Sequence, residues 1–289
     1  MSAFLWGSSL VVRKIAEDYL TPLFFNGMRF YAGFAFVLCV QVVSYMMGKT
    51  EKPALSRPKS YQVVWSIACG VILALASIFQ QLGLYLTTIA ITGFITTFYI
   101  ILVPLISWLF LKKQISKEVW IGAVIAIAGL LFISTGGELY LSFGAIVVFC
   151  SAIFFALQIL FISHCVQYTP VLLMSLVQTF TAATINLVAS FLFEQENTLE
   201  AVVDAAWLIF YGGAICIGLA FVLYTTAMKN ASPSIASIVV SLEAVFGAIL
   251  GALILHEMMN SFQLFGSALI FIAIIVSQYE RKKRGLKHD

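Results

Sequence analysis

Charge is what this chain has least of. Lys, Arg, Asp and Glu make up 10% of its 289 residues, against 62% hydrophobic, and the mean hydropathy is +1.03. A soluble domain carries about 25% charged residues to cover its surface, so composition excludes one. The net charge of +3 provides no basic face for a nucleic acid. Histidine occurs three times and never as HExxH, His256 sits at the end of an apolar run, and Asp18, Asp204 and Asp289 all lie outside the apolar runs. Those absences remove the zinc, aspartate-pair and nucleophile–base chemistries of intramembrane hydrolases, so no enzyme, metal or cofactor is expected. The five cysteines are odd in number and scattered, and each reads as a small packing residue with no disulfide framework or zinc site. Gly48-Lys49-Thr50 lacks the glycine that a phosphate loop needs five positions earlier, where Val43 stands. A secretory leader is excluded too, because Arg13 and Lys14 follow the first apolar stretch instead of preceding it.

What remains is long apolar runs. They reach about 20 residues, the length a helix needs to cross a hydrocarbon core of about 30 Å, whereas a β-barrel would show short alternating segments. The expected fold is therefore all-α: a polytopic membrane protein of ten transmembrane helices. The first, Met1 to Ile15, spans only about 22 Å at 1.5 Å per residue. Thr21-Pro22 opens the second, a pairing repeated at Thr169-Pro170 before the seventh. The fourth, Ile89 to Leu111, carries Pro104, which is expected to break it, and the eighth runs from Ala205 to Met228. Glu194 to Asp204 is an acidic stretch read as a solvated loop.

Basic residues choose the orientation. With a cytoplasmic N-terminus, thirteen of the sixteen Lys and Arg fall on the cytoplasmic side, Arg13 and Lys14 fall outside, and Arg29 lies within the membrane. Both termini are then cytoplasmic, with residues 280–289 as a basic tail.

Residues 1–135 and 141–279 read as two copies of one five-helix unit. Thr-Pro, Gly70 with Gly213, Leu84-Tyr85 with Ala227-Met228, and the polar corners Lys113-Gln114 and Glu257-Met258 with Gly122 and Gly266 recur at about half the chain length. Two successive odd-helix units must enter the membrane from opposite sides, which makes the repeats inverted and lets a central site open to either face.

In order along the chain stand Trp6-Gly7-Ser8-Ser9 with Lys14, Met28-Arg29-Phe30, Gln81-Leu82-Gly83-Leu84-Tyr85, Gly93-Phe94, Val103-Pro104-Leu105, Leu242-Glu243-Ala244, His256-Glu257 and Gly266. Over nearly its whole length the chain thereby resembles the EamA-type branch of the drug/metabolite transporter superfamily. The resemblance implies an inner-membrane carrier that moves small metabolites, commonly outward and without ATP, with amino acids or related compounds as the expected class. The chain departs from the family pattern at Ala244, where proline is usual, which speaks against a kinked ninth helix.

Polar and aromatic side chains inside apolar helices avoid lipid and mark the expected cavity: Trp6, Gln80, Gln81, Tyr99, Gln158, Tyr224 and Glu243. Gln178 and Asn186 share the pattern, with interhelical hydrogen bonding as the competing role, and Trp108 reads as an interface anchor beside Lys112. Arg29 and Glu243 lie at similar depth, so Arg29 is expected to anchor the bundle near Glu243. Glu243 would bind a cationic part of the substrate or exchange a proton. Gly247-Ala248-Ile249-Leu250-Gly251 permits close helix packing within one chain, so a monomer is expected. A membrane scaffold or sensor, or an intramembrane enzyme, are the alternative classes.

Overall fold

The computed structural model describes residues 1–48, 55, 57–111, 117–135, 142–195, 197–231, 233–257 and 259–285. Lys49, Lys52, Lys112, Lys113, Gln114, Gly136, Gly137, Glu138, Met258 and Lys287 therefore lie outside the described residues.

All regular elements among the described residues are helical. In chain order they are α1 (Ser2–Ala16), α2 (Pro22–Met46), α3 (Lys59–Leu86), α4 (Ile89–Thr96), α5 (Tyr99–Leu111), α6 (Lys117–Thr135), α7 (Phe143–Cys165), α8 (Val171–Phe193), α9 (Leu199–Asp204) and α10 (Ala206–Phe210). A π-helical segment, Tyr211–Leu219, leads directly into α11 (Ala220–Met228), followed by α12 (Pro233–Ile254) and α13 (Ser261–Gly285). Six spans are long and apolar enough to cross a bilayer: Pro22–Met46, Lys59–Leu86, Ile89–Leu109, Phe143–Cys165, Val171–Phe193 and Ala206–Met228. Trp120–Gly129, Val239–Ile254 and Ser261–Ala273 add shorter apolar stretches. The chain is an integral membrane protein.

In lipid, apolar burial gives helices no preference for one another over acyl chains, so association rests on close packing and polar bonds. The main pairs are α6 with α13, α3 with α7 and α8, α2 with α8 and the π-helical segment, and α1 with α12. Glycines set the closest approaches. A Cβ on Gly7 would stand 2.7 Å from the Glu243 carbonyl oxygen, and one on Gly213 would stand 2.4 Å from the Arg29 carbonyl oxygen. Thus α1 lies directly on α12, and the π-helical segment directly on α2.

Three features differ from the reading of the sequence. Pro104 sits inside α5, and the break falls earlier, at Thr97-Phe98. There the Thr97 hydroxyl donates to the Phe94 carbonyl at 2.7 Å, competing with the ladder, and Phe98, Ile100 and Ile101 bond three residues back. The eighth apolar run is not a plain α-helix but widens at Tyr211–Leu219, where three glycines relieve crowding against α2 and α1. The acidic stretch is only partly a solvated loop. Glu194 accepts from the Thr21 hydroxyl (2.8 Å) and the amides of Leu23 (2.8 Å) and Phe24 (3.0 Å), so a carboxylate from the end of α8 caps α2. Glu257 does the same for α4, accepting from the Ile89 amide at 2.8 Å. As the sequence led us to expect, α12 passes through Ala244 without interruption.

Candidate functional site

Midway through the bundle lies a cavity of about 70 Å³. Its wall is assembled from eight elements: Trp6, Ser9 and Arg13 come from α1, Arg29 and Phe30 from α2, Ser77 and Gln80 from α3, and Tyr99 from α5. The second half of the chain adds Phe155 and Gln158 from α7, Ile217 from the π-helical segment, Phe221 and Tyr224 from α11, and Glu243 from α12. Of the residues singled out from sequence, Trp6, Arg29, Gln80, Tyr99, Gln158, Tyr224 and Glu243 thus share one wall. Gln81 does not line it but touches a residue that does, and Pro104 stands away from it.

The aromatic side of the wall is fixed by packing. Trp6 lies against Phe221 and Tyr224 with ring centroids 5.2 Å apart in each case, and its indole N–H donates to the Cys216 carbonyl at 3.0 Å. That carbonyl belongs to the π-helical segment. Ser8, two residues further along α1, pairs with the Tyr211 hydroxyl of the same segment at 2.9 Å.

Arg29 is structurally engaged. Its Nε donates to Asn26 Oδ1 at 2.7 Å, its Nη1 reaches Ser9 Oγ at 3.3 Å, and its guanidinium carbon lies 5.1 Å from the Phe30 ring centre. The chain of bonds continues through Asn26 to Asn186 (2.6 Å), and from Asn186 to Ser77 (3.2 Å) and the Ala182 carbonyl (2.8 Å). One polar network therefore stitches α1, α2, α3 and α8 together. Among the described residues no salt bridge joins Arg29 to Glu243.

Arg13, like Arg29, lines the cavity with Glu243. The sequence reading put Arg13 outside the membrane with Lys14. The structure separates the two. Lys14 turns to the bundle end, bonding Glu17 at 2.9 Å and the Leu84 and Thr87 carbonyls at 3.1 and 3.3 Å. Arg13 turns inward and is only 3% exposed. Successive helical residues differ by about 100° in direction, so neighbours on α1 can face solvent and cavity respectively. A sequence signal for this exists, since Trp6, Ser9 and Arg13 fall at i, i+3 and i+7 and share one helix face.

Arg13 is held but not exhausted. Its Nε donates to Gln81 Oε1 at 2.6 Å and its Nη1 to Gln80 Oε1 at 2.5 Å, while Gln80 Nε2 donates to Thr96 Oγ1 at 3.1 Å. Arg13 Nη2 has no hydrogen-bond partner among the described residues, and the same is true of Gln158 Nε2 and the hydroxyls of Tyr99 and Tyr224. Glu243, 7% exposed, faces this set and accepts no hydrogen bond among the described residues. Buried donors without partners cost about 1–3 kcal/mol each, so a wall that gathers several of them with one carboxylate is built to meet something polar.

Comparisons with known proteins agree on a class. The model of the EamA-like transporter family matches residues 1–135 and 142–279. An "Uncharacterized transporter" of Archaeoglobus fulgidus is 29% identical over 95% of this chain and 82% of its own length. The "Uncharacterized transporter YoaV" of Bacillus subtilis is 24% identical over 97% and 95%, and the "Uncharacterized inner membrane transporter YedA" of Escherichia coli K12 is 23% identical over 94% and 86%. One crystal structure superposes with a TM-score of 0.70 at 18% identity, covering 98% of this chain and 96% of that one, which shows a shared fold.

Proposed function

The chain belongs to the EamA-like transporter family, and from that premise we propose that it is a secondary carrier that moves small metabolites, amino acids or related compounds, out of the cell by alternating access around the central cavity. The observation that carries the reading is the cavity itself: both halves of the chain supply its wall, and that wall gathers several unpartnered polar atoms.

Helix pairing supports an inverted repeat as the moving part. Match α1, α2, α3, α4–α5 and α6 in order with α7, α8, the span Ala206–Met228, α12 and α13. Exchanging the halves turns the pair α3 with α7 into the pair of the π-helical segment with α1, and α2 with that segment into α8 with α3. All of these are packed pairs, and α2 with α8, α4 with α12 and α6 with α13 map onto themselves. A two-fold relation between the halves has that signature; five helices per half would put its axis in the membrane plane, and rocking about it would expose the cavity to each side in turn. The excess of Lys and Arg in the loops assigned inside supports cytoplasmic termini, and the name of the Escherichia coli relative favours the inner membrane.

The experiment is flux in liposomes containing the purified protein, loaded with a panel of amino acids and analogues and supplied with no ATP. Protein-dependent efflux of any panel member is the expected result. Folded, inserted protein that moves none of them would overturn the carrier reading in favour of a scaffold or sensor.

A further inference from the structure

We propose that Arg13 is the carboxylate anchor of this cavity, and that with Glu243 opposite it selects substrates that carry a carboxylate and an ammonium group on one small apolar skeleton. The inference rests on the carrier reading and adds the chemistry of what is carried.

The geometry points to a carboxylate for a specific reason. Arg13 is held at two of its three nitrogens: Gln80 and Gln81, adjacent on α3, take Nη1 and Nε, and Gln80 is in turn fixed by Thr96. The guanidinium is therefore oriented before anything binds, with Nη2 left as a buried donor in the cavity wall. A permanently charged guanidinium held in place with Nη2 left free suits an anion, which accepts from it in a short, charge-assisted bond. A neutral hydroxyl or ether gains less, because it brings no countercharge into a space where water is scarce.

Glu243 supplies the second half of the selection. It comes from α12 and lines the same cavity as Arg13, with no salt bridge between them among the described residues. A ligand that bridges the two with opposite charges neutralises both. A bare amine leaves Arg13 uncompensated, and a bare carboxylate leaves Glu243 so. The apolar remainder of the ligand meets Trp6, Phe155 and Phe221, where rings and not polar groups form the wall. Ser9 also lines the cavity, but its hydroxyl already receives Arg29. Arg29 is thereby the less available of the two cations.

The test uses two matched sets of probes on purified protein and in liposomes: leucine, 4-methylpentanoate and 3-methylbutylamine, and phenylalanine, 3-phenylpropanoate and 2-phenylethylamine. Binding is read by thermal stabilisation and competition, and transport by flux. Wild-type protein is expected to favour at least one of the two amino acids over both of its truncated partners. Arg13→Gln should weaken that amino acid and its amine-free acid roughly ten- to hundredfold, the span of a lost charge-assisted bond, and leave the amine unchanged. Glu243→Gln should show the mirror pattern. A merely structural Arg13 would shift all three probes together, and that result overturns the proposal. So does an amine that binds as well as its amino acid. If Arg13→Gln does not fold, Arg13→Lys and the wild-type comparison within each set still decide it, because a carboxylate anchor predicts loss on removing the carboxylate in unmodified protein. Flux of other panel compounds with none of these six sinks the anchor while the carrier survives; absence of all flux sinks the carrier itself.

Discussion

Replacing Gly7 with alanine tests whether the site depends on the contact that builds it. The added Cβ would lie 2.7 Å from the Glu243 carbonyl oxygen, 2.7 Å from Phe246 Cβ and 2.9 Å from the Gly247 amide nitrogen. Two of those three atoms are backbone and the third is a Cβ, so none can swing away. Ordinary contact begins near 3.4 Å, which forces α1 and α12 apart by about 0.7 Å, and overpacking of that kind costs about 1–3 kcal/mol. The Gly247-x-x-x-Gly251 pair on α12 gives the opposite expectation. A Cβ on Gly247 would meet the tip of the Leu10 side chain at 3.0 Å, which a small side-chain shift relieves, and one on Gly251 would meet Ile89 Cβ at 3.3 Å, close to ordinary contact. Thermal unfolding of the three variants in detergent should therefore place Gly7→Ala well below wild type and the other two close to it. Gly7→Ala should also lose transport beyond its loss of folded protein, since it shifts Glu243 relative to Arg13. Equal stability for Gly7→Ala and Gly247→Ala, or the reverse order, would refute the reasoning.

Glu194→Ala removes a carboxylate that accepts three hydrogen bonds at the start of α2 and should destabilise the protein by about 1.5–3 kcal/mol in denaturant unfolding, with Glu194→Gln intermediate because one acceptor oxygen survives. Glu243→Gln should flatten any dependence of transport on pH between about 5 and 8, since it removes the carboxylate that faces Arg13, Tyr99 and Tyr224 in the cavity; a profile like that of wild type would exclude a coupling role. Reporters fused after Lys283 and inserted at Glu196 should read cytoplasmic and external respectively, and either opposite reading breaks the proposed topology.

The class of this protein was legible in its sequence because the bilayer imposes a composition few soluble folds share, and because long apolar runs mark membrane helices without needing their contacts. The wall residues were legible for a related reason. Gln80, Gln158, Tyr224 and Glu243 interrupt apolar runs, and dehydrating such groups against lipid is costly enough that they turn toward protein. Arg13 was not legible from hydropathy. It stands beside Lys14 near the end of a short helix, where a snorkelling cation and a buried one look alike, and only the direction of one Cβ separates them. The π-helical segment and the break at Thr97-Phe98 escaped for other reasons: the first depends on what packs across the seam, Gly213 on the Arg29 backbone, and the second on a hydroxyl, Thr97, that bonds back along its own helix. The glycine-x-x-x-glycine pattern drew attention to α12, while the glycine with the least room for a Cβ between α1 and α12 is Gly7, on the other helix.

The two arginines of the cavity separate structural from functional charge without reference to any relative. Each would cost about 2.5–3.5 kcal/mol at a helix centre if left to lipid, so each requires compensation. Arg29 receives it from its own fold: Asn26, Ser9 and the face of Phe30 engage it, and the network runs on to Asn186 and Ser77. A cation kept only to hold helices together would look like that. Arg13 is anchored just as firmly, yet it keeps Nη2 buried and unpartnered among the described residues and faces a carboxylate it does not contact. Helix packing alone gives no reason to orient a guanidinium through two glutamines and then leave a donor open to an enclosed space. In the cavity wall the hydroxyls of Tyr99 and Tyr224 and the amide of Gln158 are likewise without partners among the described residues. The unmet hydrogen bonds of this wall therefore describe, in negative, a small polar molecule with at least one strong acceptor.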